Sequence, residues 1–204
     1  MNKKEYIGIS GFARSGKNLF AEVAIDVLKG RGWECSTHSL AYLLKKECGP
    51  FLMDKFGISA FTEKTEEKNI IRPLLIWFGM EMRKRNRRVW IDKLDAIIKH
   101  DPADFIFITD IRFSKFAGDE TDWLQNELNG KLIHISKYRV EDGSRFYVPA
   151  GSKDEEENDP LVKERADLRL EWEHLLSTNY ADLKTNPEIV RTVRESLDIV
   201  LKHD

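Results

Sequence analysis

Three short apolar runs along the chain have the length and composition of buried β-strands. They are Tyr6–Ser10, Asp104–Thr109 and Lys131–Ile135, and each is rich in β-branched or aromatic residues and bounded by polar or turn residues. Weaker signals of the same kind predict further strands at Glu34–Leu40 and Asp167–Leu170. The chain therefore contains enough strands for one central sheet.

Helical patterns separate these strands. A closing helix is predicted around Glu188–Lys202, and three other stretches show apolar residues at helical spacing. Their members are Leu19, Val23, Val27 and Leu28, then Leu74, Leu75, Phe78 and Met82, then Trp90, Leu94, Ile97 and Ile98. The alternation of strand and helix predicts an α/β fold, in which helices cover both faces of a mainly parallel sheet in three α/β/α layers.

Two segments interrupt the alternation. Residues 43–88 are mostly helical and charged, and this stretch is longer than an ordinary crossover, so we expect a helical subregion that stands away from the sheet. Residues 137–165 are polar and rich in turn residues, a composition that suits a mobile flap or lid. Because 204 residues suffice for one substantial core, we expect a single domain, 1–204, that contains both subregions.

Composition narrows the class of protein. Lys and Arg total 33 against 35 Asp and Glu, and the net charge of −2 disfavours non-specific nucleic-acid binding as the main role. No apolar run approaches the roughly 20 residues of a membrane helix, and the N-terminus lacks the pattern of a signal peptide. We therefore expect a cytoplasmic protein in which Cys35 and Cys48 are reduced structural thiols. The five histidines form no metal-ligand pair.

The strongest chemical signal directly follows the first strand. Gly11-Phe12-Ala13-Arg14-Ser15-Gly16-Lys17-Asn18 matches a phosphate-binding loop except in its last position, which is usually Ser or Thr. In such a loop, backbone amides converge on phosphate oxygens, the lysine reaches the outer phosphates and the helix N-terminus faces the anion. We predict ATP contacts from Gly11, Ala13, Arg14, Ser15, Gly16, Lys17, Asn18 and Leu19.

A second candidate group lies at the end of the second strong strand. Asp110 and Arg112 follow Thr109 there, at the edge of a parallel sheet where ligands collect. We predict that Lys17, Asp110 and Arg112 are catalytic, and that Asp110 and Asn18 hold Mg²⁺ or its water. The alternative interpretation is a helix-capping Asp with a solvated Arg.

Basic residues elsewhere offer contacts to a second phosphate. Arg72 and the run from Arg83 to Arg88 could bind an acceptor phosphate or a nucleic-acid backbone, or form a solvated surface. Lys137 and Arg139 follow the third strong strand, where the predicted lid begins. Arg145, Lys153 and Arg165 lie further along that segment, and the acidic run 154–157 is interpreted as a solubility feature.

Taken in order, these features resemble the phage-type deoxynucleoside monophosphate kinases, which are P-loop kinases. The similarity covers about residues 5–172 and rests on the following residues: Ser10-Gly11 with Arg14 to Lys17; Leu40-Ala41 with Lys45; Arg72 with Leu74, Leu75 and Gly79; Trp90 to Leu94; Thr109-Asp110 with Arg112; and Ile133 to Ile135. The family tolerates an acidic or amide residue after the loop lysine, as in Asn18. The chain departs from the family pattern at Ile76, Met80 and the lid residues 156–159.

The resemblance implies a P-loop kinase fold and an enzyme that uses ATP and Mg²⁺ to phosphorylate a deoxynucleoside monophosphate. It also implies that the helical insert binds the acceptor, through Lys45, Arg72 and Trp90, and that Lys137 and Arg139 belong to the lid. The sequence leaves open the base and sugar of the acceptor and the oligomeric state, with a homodimer as one alternative.

Three other functions are compatible with the sequence. One is another P-loop small-molecule kinase, acting on dephospho-coenzyme A or phosphomevalonate. A second is a protein that binds nucleic acid or processes its ends, for which the basic run Arg83 to Arg88 is the positive signal. A third is a nucleotide-binding module that has lost catalysis, a reading to which only Asn18 points.

Overall fold

A computed structural model describes residues 4–173 and 179–201 of the chain. The chain divides into two compact units, the first formed by residues 1–37 and 101–204 and the second by residues 38–100. The second unit contains the predicted helical subregion 43–88. This unit also includes the helix that follows the basic run.

The sheet has six strands: β1 (Glu5–Ser10), β2 (Cys35–Ser39), β3 (Phe105–Ile111), β4 (Lys131–Glu141), β5 (Ser144–Tyr147) and β6 (Leu168–Glu173). Strands β2, β3, β1 and β4 follow one another across it, and both β5 and β6 pair with β4. The β1–β3, β1–β4 and β4–β6 pairs are parallel, whereas β5 is antiparallel to β4. The predicted mainly parallel sheet is confirmed, and β5 is the strand that the sequence did not predict.

The helices are α1 (Lys17–Lys29), α2 (Leu40–Phe56), α3 (Thr65–Arg85), α4 (Val89–Ile98), α5 (Glu120–Asp122), α6 (Lys153–Arg165), α7 (Tyr180–Thr185) and α8 (Pro187–Val200). A short π-helical turn, Trp123–Glu127, continues α5. The predicted closing helix corresponds to α8, although Lys202 lies outside the described residues. None of the helices in the described ranges is long and apolar enough to cross a membrane.

Helices cover both faces of the sheet in the first unit. On one face, Ile7 and Ile9 of β1 belong to a buried cluster with Phe20 of α1 and Val193 of α8. On the other face Gly8 gives room to Leu124, since a Cβ atom at Gly8 would lie 2.2 Å from its Cδ2 atom. Helix α6 also packs on β1 and β4. The three-layer α/β/α arrangement is confirmed for this unit.

The segment predicted as a lid, 137–165, forms a hairpin of β4 and β5 followed by α6. The turn-rich composition of this segment did not predict the helix at Lys153–Arg165. The Ser152 hydroxyl accepts a hydrogen bond from the Glu155 amide at 3.2 Å and caps the helix. Acidic residues in the first turn and basic residues in the last turn match the helix dipole. Because this helix contains few apolar residues, the sequence shows no apolar stripe at helical spacing there. The prediction that the segment 137–165 closes over the site as a lid stays a prediction.

The second unit packs α2 and α3 around a small apolar core. Cys48 and Leu52 of α2 contact Ile71 of α3, together with Ile58 and Ala60 from the connecting loop. The Ser39 hydroxyl caps α2 by accepting a hydrogen bond from the Tyr42 amide at 3.2 Å. Helix α3 extends beyond the predicted stripe from Leu74 to Met82 at both ends.

Candidate functional site

The loop between β1 and α1 has a backbone that only certain residues can adopt. Gly11 has a φ of 126°, and a Cβ atom there would lie 2.2 Å from the carbonyl oxygen of Ile135. Gly16 has a φ of 97° and begins α1 from a left-handed conformation. Both positions therefore require glycine, because an L side chain would be strained at these angles. The two glycines of the motif thus shape the loop in the way a phosphate-binding loop needs.

The Lys17 side chain folds back across this loop. Its Nζ atom donates hydrogen bonds to the carbonyl oxygens of Gly11 at 2.8 Å and Phe12 at 2.9 Å, and the residue is only 6% exposed. Burial lowers the pKa of Lys17, and the Asp110 carboxylate offsets part of that effect. The structure therefore holds a desolvated cation beside the N-terminus of α1, as an anion site requires.

Asp110 lies beside Lys17 because of an irregularity in the sheet. Ile9 pairs with Thr109 and the next residue, Ser10, pairs with Ile111, so Asp110 is an extra residue that forms a β-bulge. Its φ of 65° is left-handed, which Asp tolerates better than most residues. The bulge places the Asp110 Oδ1 atom 3.7 Å from Lys17 Nζ.

Arg112 is fixed by carboxylates on three elements. Its Nη2 atom lies 3.6 Å from Asp110 Oδ1, and its Nη1 atom forms an ion pair with Glu155 of α6. The Arg112 amide donates to Glu120 at 2.6 Å. Burial alone would lower the pKa of Arg112, but Asp110 and Glu155 outweigh it and the net pKa is raised. Lys17, Asp110, Arg112 and Glu155 form a row of alternating charge.

Glu155 was not predicted as a site residue. It belongs to the acidic run 154–157, whose composition predicts a solubility feature, yet it is 7% exposed. Its second carboxylate oxygen accepts a hydrogen bond from the Gly151 amide at 2.7 Å. Glu156 and Glu157 are exposed, and of the three glutamates only Glu155 stands three residues after the capping Ser152, which is the spacing of a capping box.

A buried pair formed by His134 and Asp159 lies next to this row of charges. His134 is 2% exposed, and its Nε2 atom lies 3.0 Å from both carboxylate oxygens of Asp159 on α6. Its Nδ1 atom has no hydrogen-bond partner in the described part of the chain. His134 pairs with Ser10 across β1 and β4, directly before the loop. The pair joins α6 to the edge of the sheet that carries the loop.

The other loop residues fall into three environments. Arg14 and Asn18 are exposed, whereas Ala13 is half-buried. Ser15 is buried, and its hydroxyl has no partner among residues 4–173 and 179–201. Leu19 lies in the core of the first unit at 8% exposure, so its predicted contact with ATP is not supported by its side chain.

The two lid candidates differ in their surroundings. Lys137 is half-buried on β4, where burial lowers the pKa of its ammonium group. No ion pair or hydrogen bond to its side chain occurs among the described residues. Arg139 is exposed and pairs with Glu141 at 2.9 Å. Lys137 therefore remains available to an anion, whereas Arg139 is already paired.

The predicted acceptor residues all belong to the second unit. The Lys45 ammonium lies 5.9 Å from the ring centroid of Phe61, and Arg72 is half-buried on α3. Trp90 is 4% exposed, and its Nε1 atom donates to the Gly79 carbonyl at 3.4 Å. Because Trp90 is buried, its position supports a packing role rather than direct acceptor contact. The acceptor roles of Lys45 and Arg72 stay predictions.

The residues present offer few ligands for a metal ion. The described residues contain no cluster of three or more His, Cys, Asp or Glu side chains arranged to hold one. Asp110 is the carboxylate nearest to Lys17 at the loop, and Asn18 lies in the first turn of α1. This set suits Mg²⁺, which keeps several waters and commonly binds through one or two carboxylates and the phosphates of a substrate.

Comparisons with known proteins give distant similarities to solved structures. No family model and no curated protein matches the sequence. Shikimate kinase from Acinetobacter baumannii in complex with shikimate is similar at 13% identity and a TM-score of 0.46, covering 98% of this chain and 94% of that chain. Shikimate kinase from Aquifex aeolicus is similar at 14% identity and a TM-score of 0.37, covering 95% and 96%. At these values neither similarity identifies an activity for this chain.

Proposed function

We propose that this protein is an ATP-dependent kinase that phosphorylates a deoxynucleoside monophosphate. The observation that carries the proposal is the buried Lys17, held across a glycine loop and 3.7 Å from Asp110 at the end of a parallel strand. A desolvated lysine in that setting suits the terminal phosphates of a nucleoside triphosphate. The deoxynucleotide acceptor rests on the resemblance of the ordered motifs to the phage-type kinases.

Catalysis would consist of positioning and charge stabilisation. Lys17 and the loop amides would hold the donor phosphates, and Arg112 would stabilise charge on the transferred group. The acceptor oxygen attacks the γ-phosphorus, the bond to the β–γ bridging oxygen breaks, and ADP leaves with that oxygen. A phosphate acceptor is already ionised near neutral pH, so no strong general base is required.

Magnesium fits this site as a partner of the nucleotide. Asp110 and Asn18 are the residues that would hold it, directly or through water. The ion supplies neutralisation of phosphate charge when it is bound. The chain's own contribution is to orient the Asp110 carboxylate through the bulge and through its contacts with Lys17 and Arg112.

A coupled assay of ADP release tests the proposal. Purified protein with Mg²⁺ and ATP would be offered each deoxynucleoside monophosphate, with the ribonucleotides as a test of sugar preference. Dephospho-coenzyme A, phosphomevalonate and shikimate would represent other acceptors. We expect turnover with at least one deoxynucleotide and none with Lys17→Ala. Turnover only with a non-nucleotide acceptor would refute the proposed acceptor, and undiminished activity of Lys17→Ala would refute the site.

A further inference from the structure

Trp172 on β6 contacts the phosphate loop from outside. Its indole Nε1–H donates a hydrogen bond to the Ser15 carbonyl oxygen at 2.7 Å, between residues 157 positions apart in the chain. The ring also lies against Gly16, since a Cβ atom there would be 2.4 Å from Trp172 Cζ2. A single side chain thus fixes both residues that precede Lys17.

The hydrogen bond determines how one peptide group of the loop is oriented. In a trans peptide the carbonyl group and the following N–H point in opposite directions. Trp172 attracts the Ser15 carbonyl, so the Gly16 N–H points away from the indole ring. This N–H has no hydrogen-bond partner in the described parts of the chain. An oriented but unpaired backbone donor directly before α1 is suited to a phosphate oxygen.

Trp172 is itself held firmly. It pairs with Lys137 in the parallel β4–β6 ladder, and its ring centroid lies 6.4 Å from that of Phe20 on α1. The ring is half-buried against the core of the first unit. The orientation of the indole is therefore set by the sheet and α1 before any ligand arrives, which is the condition for a preorganised site.

We propose that Trp172 is a positioning residue that presents the Gly16 amide to a phosphate group of the bound nucleotide. The inference rests on the proposed nucleotide site but does not require phosphoryl transfer. It gives a residue of β6 a role in anion binding, and this role is not visible in the sequence of the loop itself. The proposal concerns the N–H group of the indole and not only its bulk, and a test can separate the two.

The test compares variants that keep an aromatic ring at position 172 and lose the indole N–H donor. Trp172→Phe and replacement of Trp172 by benzothienylalanine, a tryptophan isostere without the N–H, would be titrated with a non-hydrolysable ATP analogue and with inorganic tripolyphosphate, both with Mg²⁺. Loss of one hydrogen bond is expected to raise both dissociation constants about three- to tenfold. Trp33→Phe serves as the control, because Trp33 packs against Phe105 of β3.

The outcomes are distinct. Weaker binding in both Trp172 variants, with Trp33→Phe unchanged, would support the proposal. Unchanged binding by the isostere would overturn it, even if the melting temperature fell. Donor-dependent tripolyphosphate binding in a protein that phosphorylates no acceptor would refute the proposed function alone. A wild-type protein that binds neither anion would refute both.

Discussion

The guanidinium of Arg112 at the end of β3 forms an ion pair with the carboxylate of Glu155 in the first turn of α6. The contact ties α6 to the row of charges that begins at Lys17. It also places a buried negative charge close to the expected position of nucleotide phosphates. Glu155 therefore stabilises the fold while opposing the binding of an anion.

Glu155→Gln should separate these two effects. The substitution removes the charge but keeps the shape, so we expect the free energy of unfolding to fall by about 1–2 kcal/mol through the weakened contact. The affinity for Mg²⁺–ATP should rise several-fold, because one of the two carboxylates that neutralise Arg112 is removed. Urea unfolding and calorimetric titration measure the two quantities. Glu156→Gln is the matched control, being the exposed neighbour on the same helix. Equal or weaker nucleotide binding by Glu155→Gln would show that the pair serves to orient Arg112.

Asp110 combines a backbone requirement with a chemical one. Asn tolerates the left-handed φ of 65° almost as well as Asp, whereas Ala does not. Asp110→Asn should therefore keep the bulge, but it loses the charge that faces Lys17 and Arg112, so both stability and turnover should fall, the turnover by about 100-fold. Asp110→Ala should lose turnover and, in addition, about 1 kcal/mol of stability. Thermal unfolding and steady-state kinetics distinguish them. Equal stability of the two variants would show that the bulge is not strained.

The parts of the site that the sequence predicted are local ones. The glycine loop follows β1 within a few residues, so strand, loop and helix signals lie next to each other. Asp110 was expected at the sheet edge for the same reason, but the bulge that turns it toward Lys17 depends on pairing between β1 and β3. No signal within either strand reveals a register shift that arises only when the two pair.

The parts of the site that the sequence did not predict depend on contacts between residues far apart in the chain. The residue types involved are common on protein surfaces and do not by themselves indicate a site. Arg112 and Glu155 are 43 positions apart, and Glu155 is one of three consecutive glutamates. Trp172 lies in a strand that the sequence predicted only to Leu170. Acidic side chains are most often solvated, so composition favoured the wrong interpretation of Glu155, although Glu156 and Glu157 are exposed as expected. The fold of the first unit was predictable from periodicity, whereas the second half of its site required the packing of α6 and β6.

Lys137 is the lid residue most suited to contact an anion. It is half-buried, burial lowers the pKa of its ammonium group, and an anionic ligand would compensate that cost. We expect Lys137→Met to reduce kcat/KM for ATP about tenfold or more while leaving the melting temperature unchanged or higher. Arg139→Met provides the comparison, since this exposed residue is paired with Glu141 and should have little effect. Steady-state kinetics and thermal unfolding test both. A larger loss from Arg139→Met would reverse the assignment.

Burial of Lys17 should lower the folding stability of the protein while preparing the site for an anion. Burial lowers the pKa of Lys17 below its usual value of 10.5, so the unfolded chain binds more protons than the folded protein between those two pH values. The stability that this group contributes therefore increases as the pH rises through that window, and the cost of burying the charge is greatest below it.

Lys17→Met removes the charge, so at pH 7 the variant should resist urea better than the wild type, and the difference should shrink as the pH approaches 10. Turnover should fall at least about 100-fold at every pH. Lys29→Met, at the exposed last turn of α1, is the control for the loss of a lysine from this helix. A Lys17→Met variant less stable than the wild type at pH 7 would mean that the hydrogen bonds to Gly11 and Phe12 outweigh the cost of burial.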